Sequence, residues 1–163
     1  MPSYSFTLIL FGMREISVEV ENALYEAGCD DGTLGLRAGV PYLDFERASR
    51  SYEAAVASAI RDVGKAGYAV VRVEPDDWVT ASEIARRSGR TRESIRLLVS
   101  GKRGPGDFPA PSAGLTGHSP LWSWAAVSAW MLKHKLADND ELRRAAYIRQ
   151  LNRKLDRPLA HSL

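Results

Sequence analysis

Between Thr80 and Leu98 the chain carries two helix starts and one helix stop in close succession. Thr80-Ala81-Ser82-Glu83 has the form of a capping box. The Thr80 hydroxyl accepts from the backbone N–H three residues on, and the Glu83 carboxylate accepts from the Thr80 N–H. Gly89 breaks that helix after two turns, and Thr91 caps a second one over Arg92–Val99. Ala81, Ile84, Ala85 and Ser88 share a narrow face of small residues, and Ile95 and Leu98 share the inner face of the second helix. Helices this short cannot stand alone, so each must bury its face against the other. A steep crossing needs a small residue at the contact, here Ala85, and a turn residue that tolerates positive φ, here Gly89. The opposite face of the second helix presents Arg92, Glu93 and Arg96.

This spacing, Ile84-Ala85-x-x-x-Gly89-x-Thr91-x-x-Ser94-Ile95-x-x-Leu98, resembles the helix-turn-helix segments of LacI-type and MerR-type bacterial regulators. The residues beyond Leu98 extend the resemblance. Ser100 to Pro111 is rich in glycine and proline, which rules out a helix and leaves Lys102-Arg103 on a loop tip. Phe108-Pro109-Ala110-Pro111, Leu121-Trp122-Ser123-Trp124 and Val127-Ser128-Ala129-Trp130 are similar to the wing, tryptophan pair and following helix of the excisionase and MerR-like winged-helix family. Leu121–Trp124 alternates like a short strand, and a helix resumes over Ala125–Lys135. The likeness covers about residues 78–135, and the long insertion Ser112–Pro120 departs from it.

The resemblance implies that the start of the Arg92–Val99 helix enters the major groove of double-stranded DNA. Arg92 and Arg96 would each donate two bonds to guanine, and Glu93 would accept from cytosine or pair with an arginine. Thr91 and Ser94 would hold phosphate, Arg90, Lys102 and Arg103 would neutralise it, and Thr80 belongs to the same set. Trp122, Trp124 and Trp130 could stack on unpaired bases, but their spacing among apolar neighbours favours core packing.

The residues before this region have a different pattern. Ser5–Phe11 reads as a strand, Ser17 caps a helix ending near Gly28, and two alternating runs around Leu34–Leu36 and Val40–Arg47 meet at Ala38-Gly39. A helix over Ser51–Ala66 and a strand over Tyr68–Val73 complete a β-α-β-β-α-β order. That order resembles ferredoxin-like domains. Asp30 and Asp31 could be imagined as metal ligands, or as an acid–base pair with Asp44 or Glu46. Adjacent aspartates before Gly32 are more commonly turn formers. Gly12-Met13-Arg14-Glu15 lacks the glycines of a phosphate loop, and Cys29 has no neighbour that would activate it.

Charge divides the chain in the same place. Residues 1–77 hold seven Lys/Arg against thirteen Asp/Glu, a net of −6, and residues 78–163 hold fifteen against seven, a net of +8. One part is expected to avoid polyanions and the other to seek them. Glu74-Pro75-Asp76-Asp77 reads as a short polar join, with helical spacing restarting at Trp78. The 163 residues are 45% hydrophobic and 26% charged, which fits a globular protein and neither a disordered nor a membrane one. The apolar run Leu8–Phe11 is far short of a membrane span or a signal-peptide core. A lone cysteine excludes an internal disulfide and fits a reducing cytoplasm. His118, His134 and His161 lie too far apart, without partner acids, to suggest a metal site or a general base.

The expected fold is therefore α+β. It comprises a ferredoxin-like βαββαβ domain (residues 1–74), a mostly helical winged helix-turn-helix domain (78–137) and a C-terminal helix (138–163). In the last of these Leu142, Ala145, Ile148, Leu151 or Asn152, and Leu155 form an apolar stripe that packs on the winged helix or forms a dimer contact. Asp140 and Glu141 at its start, and Arg153, Lys154 and Arg157 near its end, suit the helix dipole. The expected function is that of a cytoplasmic, homodimeric, sequence-specific transcriptional regulator with no metal and no cofactor. Its N-terminal domain would dimerise it or bind a small molecule or partner protein. The alternatives are an excisionase-like accessory factor that bends DNA and a protein–protein adaptor that keeps the fold. An enzyme is not expected, for want of a nucleophile–base or metal constellation.

Overall fold

A computed structural model describes residues 1–117 and 119–160, with side chains as far as residue 155. His118, His161 and the Arg157 side chain lie outside the described residues. The protein is α+β, and it divides into two compact units, one of Met1–Pro75 with the chain from Gln150 onward and one of Asp76–Arg149.

In the first unit β1 (Ser3–Phe11), α1 (Val18–Glu26), β2 (Gly32–Arg37), β3 (Val40–Ala48), α2 (Tyr52–Lys65) and β4 (Ala69–Glu74) follow in order. The strands form one antiparallel sheet in the order β2-β3-β1-β4. Ser17 and Ser51 cap the two helices by accepting from Val20 N and Ala54 N. Alternation along β1 and β3 sends Phe6, Leu8, Leu43 and Phe45 to the buried face. Phe6 sits directly opposite Phe45, and their rings stack with centroids 5.3 Å apart.

The same alternation buries Arg47, which the sequence alone leaves unremarked. Its guanidinium donates to both Asp31 carboxylate oxygens at 2.7 and 2.8 Å, to Asp62 at 3.0 Å, to Ser58 at 3.0 Å and to the Gly28 carbonyl at 2.8 Å. Asp31 thus ties the loop after α1 to the sheet. Asp44 and Glu46 accept from the hydroxyls of Thr7 and Ser5. Burial, with the Asp62 carboxylate nearby, pushes the Cys29 thiol up to about 11.

The second unit departs from expectation at its first element. Trp78–Val79 does not restart a helix; it is a short strand, β5, paired with β6 (Trp122–Ser123). Asp77, a polar join by sequence, is buried. Its carboxylate accepts from Ser123 Oγ at 2.7 Å and from Ala125 N at 2.8 Å, and its carbonyl accepts from Trp124 N at 2.6 Å. Those bonds satisfy the first N–H groups of α5 (Trp124–Lys133), which therefore starts at Trp124 rather than Ala125. α3 (Ala81–Ser88) and α4 (Arg92–Ser100) precede it.

The last helix, α6 (Asn139–Ala160), corrects a further expectation. Ala145 joins the core of the second unit, but Asn152 serves the first. Its amide accepts from Val73 N at 2.8 Å and donates to Val73 O at 3.0 Å. β4 is an edge strand, and this bidentate contact occupies backbone groups that would otherwise stand open to another chain. The stripe on α6 is thus not a uniform contact with the 78–137 region. No described helix is long and apolar enough to cross a membrane.

Candidate nucleic-acid interface

α3 and α4 are set by their caps. Thr80 Oγ1 accepts from Glu83 N at 3.2 Å, and Glu83 Oε1 accepts from Thr80 N at 3.4 Å, so both halves of the capping box form. Gly89 stands at φ 68°, the left-handed conformation in which a side chain would cost about 1–2 kcal/mol. Thr91 Oγ1 accepts from Ser94 N at 3.0 Å and starts α4. Ile84 and Ile95 are fully enclosed between the two helices, each contributing about 1.5–3 kcal/mol. Val79, Trp122, Trp124, Trp130 and Met131 close the same core. These three tryptophans are packed rather than presented for stacking.

With Ile95 and Leu98 buried, helical geometry turns Arg92, Glu93 and Arg96 to solvent. Arg96 does not stand free. It donates to the two Glu93 oxygens at 2.9 and 2.6 Å, an i,i+3 pair on the exposed face. The hydrogen bond holds the Glu93 carboxyl below its ordinary range and the Arg96 guanidinium above its own. Arg103 N donates to Leu97 O at 3.3 Å, which folds the tip back on the last turn of α4, and the Arg103 charge also lowers Glu93. Arg92, Lys102 and Arg103 are exposed and have no ion-pair partner among the described residues.

The remaining expected residues fall into two places. Arg90, Thr91 and Ser94 cluster at the start of α4, where Arg90 Nη1 lies 3.5 Å from Ser94 Oγ. Thr80 is engaged in its cap, its hydroxyl 3.4 Å from Glu83 Oε1, at the start of the other helix. Arg87 carries no signal in the sequence that would single it out. Its guanidinium lies 5.5 Å from the Trp124 ring centroid and 3.7 Å from Glu83, and its side chain is largely buried, so it packs α3 against the core. Arg86, next to it, is exposed in the last turn of α3.

The segment after α4 forms no strand beside it. Its strand-like pairing among the described residues is a single bridge between Ala113 and Leu121, closing the insertion at its base. Aromatic anchors hold it instead. Trp122 Nε1 donates to Pro109 O at 2.9 Å, Trp130 Nε1 donates to Gly106 O at 3.1 Å, and the Phe108 ring meets the Trp130 ring at 5.0 Å. The Phe-Pro-x-Pro stretch thereby packs inward while Lys102-Arg103 stays outside.

Among the described residues no cluster of three His, Cys, Asp or Glu could hold a metal ion. Comparison of the chain with protein families, with curated proteins and with solved structures gives no match.

Proposed function

We propose that the second unit is a winged helix-turn-helix reader of double-stranded DNA and that the protein is a sequence-specific transcriptional regulator. The observation that carries the reading is the division of α4, with Ile95 and Leu98 sealed in the core and Arg92 and Arg96 facing out beside Lys102-Arg103. A rigid helix with that face fits the major groove, where arginine discriminates guanine by two bonds. The Arg96–Glu93 pair fits a reader of sequence better than a general polyanion binder. An acid in the row repels phosphate, and a surface ion pair exchanges for a base at little cost. The strand order β2-β3-β1-β4 within a βαββαβ chain supports a ferredoxin-like reading of the first unit.

The test is a gel shift with the DNA upstream of the protein's own gene, followed by footprinting. Arg92→Ala and Arg96→Ala should each weaken specific binding about ten- to hundredfold and relax the preference at one base pair. Lys102→Ala should weaken all sequences alike and reduce the salt dependence. Unchanged specific binding in both arginine variants would falsify the placement of α4.

A further inference from the structure

α1 and α2 lie against one face of the sheet of the first unit, where Leu24, Val56 and Val63 are buried with Leu8 and Leu43; Thr7, Ile9, Tyr42 and Arg72 belong to the other face. On that face Ile9, Val40 and Arg72 line two adjoining depressions, of about 360 and about 820 Å³. The larger lies at the end of the sheet by the β2–β3 turn, with Phe11, Met13, Pro41 and Val71 on its walls. Phe11 and Val40 are large apolar side chains, 58% and 42% exposed among the described residues. A register shift between Ile9 and Leu10 sets Val71 out of the regular pairing of β1 with β4. The floor is firm. Tyr42 lies so close over Gly35 that a Cβ there would stand 2.3 Å from its ring.

Charge gives the cleft its character. Residues 1–77 are net acidic, yet three of their seven cations, Arg14, Arg37 and Arg72, border these depressions. Of the two carboxylates that line the smaller depression, Glu74 is paired with Arg72 at 2.9 and 3.1 Å, and Asp44 accepts from the Thr7 hydroxyl at 2.6 Å and keeps its charge; among the described residues none lines the larger one. Arg14 and Arg37 have no ion-pair partner among the described residues. An apolar trough of this size edged by unpaired guanidinium groups matches the usual make-up of a small-molecule site, with apolar walls and a few placed polar groups.

We propose that this cleft binds a small amphipathic organic anion, its apolar body on Phe11, Val40 and Val71 and its carboxylate at Arg14 or Arg37. The first unit is then a ligand-binding domain. The inference stands whether or not the second unit reads DNA.

The experiment is a titration of the full-length, ¹⁵N-labelled protein with sodium octanoate and, separately, with 1-octanol. Octanoate should saturate, with amide shifts centred on Ile9, Phe11, Val40 and Val71, and should bind at least tenfold more tightly than octanol. The double variant Arg14→Gln/Arg37→Gln should lose at least fivefold in octanoate affinity with an unaltered thermal transition, since both side chains are exposed and unpaired. Shifts centred elsewhere overturn the proposal, as does equal affinity for the alcohol or for the double variant. So does self-association through this face, seen by sedimentation, abolished by Val40→Asp and indifferent to octanoate.

Discussion

Replacing Asp77 by alanine tests the account of the second unit at its most concentrated point. The side chain is 6% exposed and accepts from Ser123 Oγ at 2.7 Å and Ala125 N at 2.8 Å. Hydrogen bonds to a charged acceptor contribute about 1.5–3 kcal/mol each, and the substitution leaves a buried N–H at the start of α5 unsatisfied. The two bonds share one carboxylate, so they do not add fully, and a loss of about 3–4 kcal/mol is expected. Asp77→Asn keeps one acceptor and should lose about half as much. All four tryptophans, Trp78, Trp122, Trp124 and Trp130, belong to this unit, so their fluorescence in urea or on heating reports it alone. A unit of this size shifts its midpoint roughly 4–8 °C per kcal/mol. A loss below about 1 kcal/mol in the alanine variant, or equal losses in the two variants, would refute the capping role.

The first unit offers three further tests. Arg47→Met strands Asp31 and Asp62 without their buried partner and should cost about 3–5 kcal/mol in chemical denaturation followed by circular dichroism. Asn152→Leu would perfect the apolar stripe of α6, yet it should destabilise by about 2 kcal/mol and speed exchange of the Val73 amide, because both Val73 backbone groups lose their partner. Cys29 should resist iodoacetamide at pH 8 in the native state and react promptly once unfolded. Its thiol is raised from 9.0 to about 11, so the folded state holds that proton more tightly. The corresponding stability is present below pH 9 and is lost as the pH climbs towards 11.

Parts of this fold are readable because their causes are local. Ser17, Ser51, Thr80 and Thr91 each bond a backbone N–H three residues on, and Gly89 stops α3 by its own conformation. The alternation of β3 already separates Leu43 and Phe45 from Asp44 and Glu46. The outward row of Arg92, Glu93 and Arg96 follows from helical period once Ile95 and Leu98 are taken as buried. The Arg96–Glu93 pair lies within reach of the same reasoning, since i,i+3 neighbours of opposite charge meet on a helix.

By itself, then, the sequence determined the succession of elements in the first unit, the two short helices after Thr80, and the caps of α1 to α4, all set by spacings of two to four residues, whereas β5 reads locally as helix. Tertiary structure alone decided what Asp77, Asn152 and Arg47 do. Asp77 reads as linker until Ala125, 48 residues on, is brought to it, and Asn152 reads as an error in a stripe until Val73, 79 residues back, meets its amide. Arg47 occupies an inward position of β3 that periodicity reserves for an apolar side chain, and it is tolerated there because Asp31 and Asp62 converge on it. A polar group is bearable in a core only when its partner is present. That partner is chosen by how the chain returns on itself, which no local spacing records.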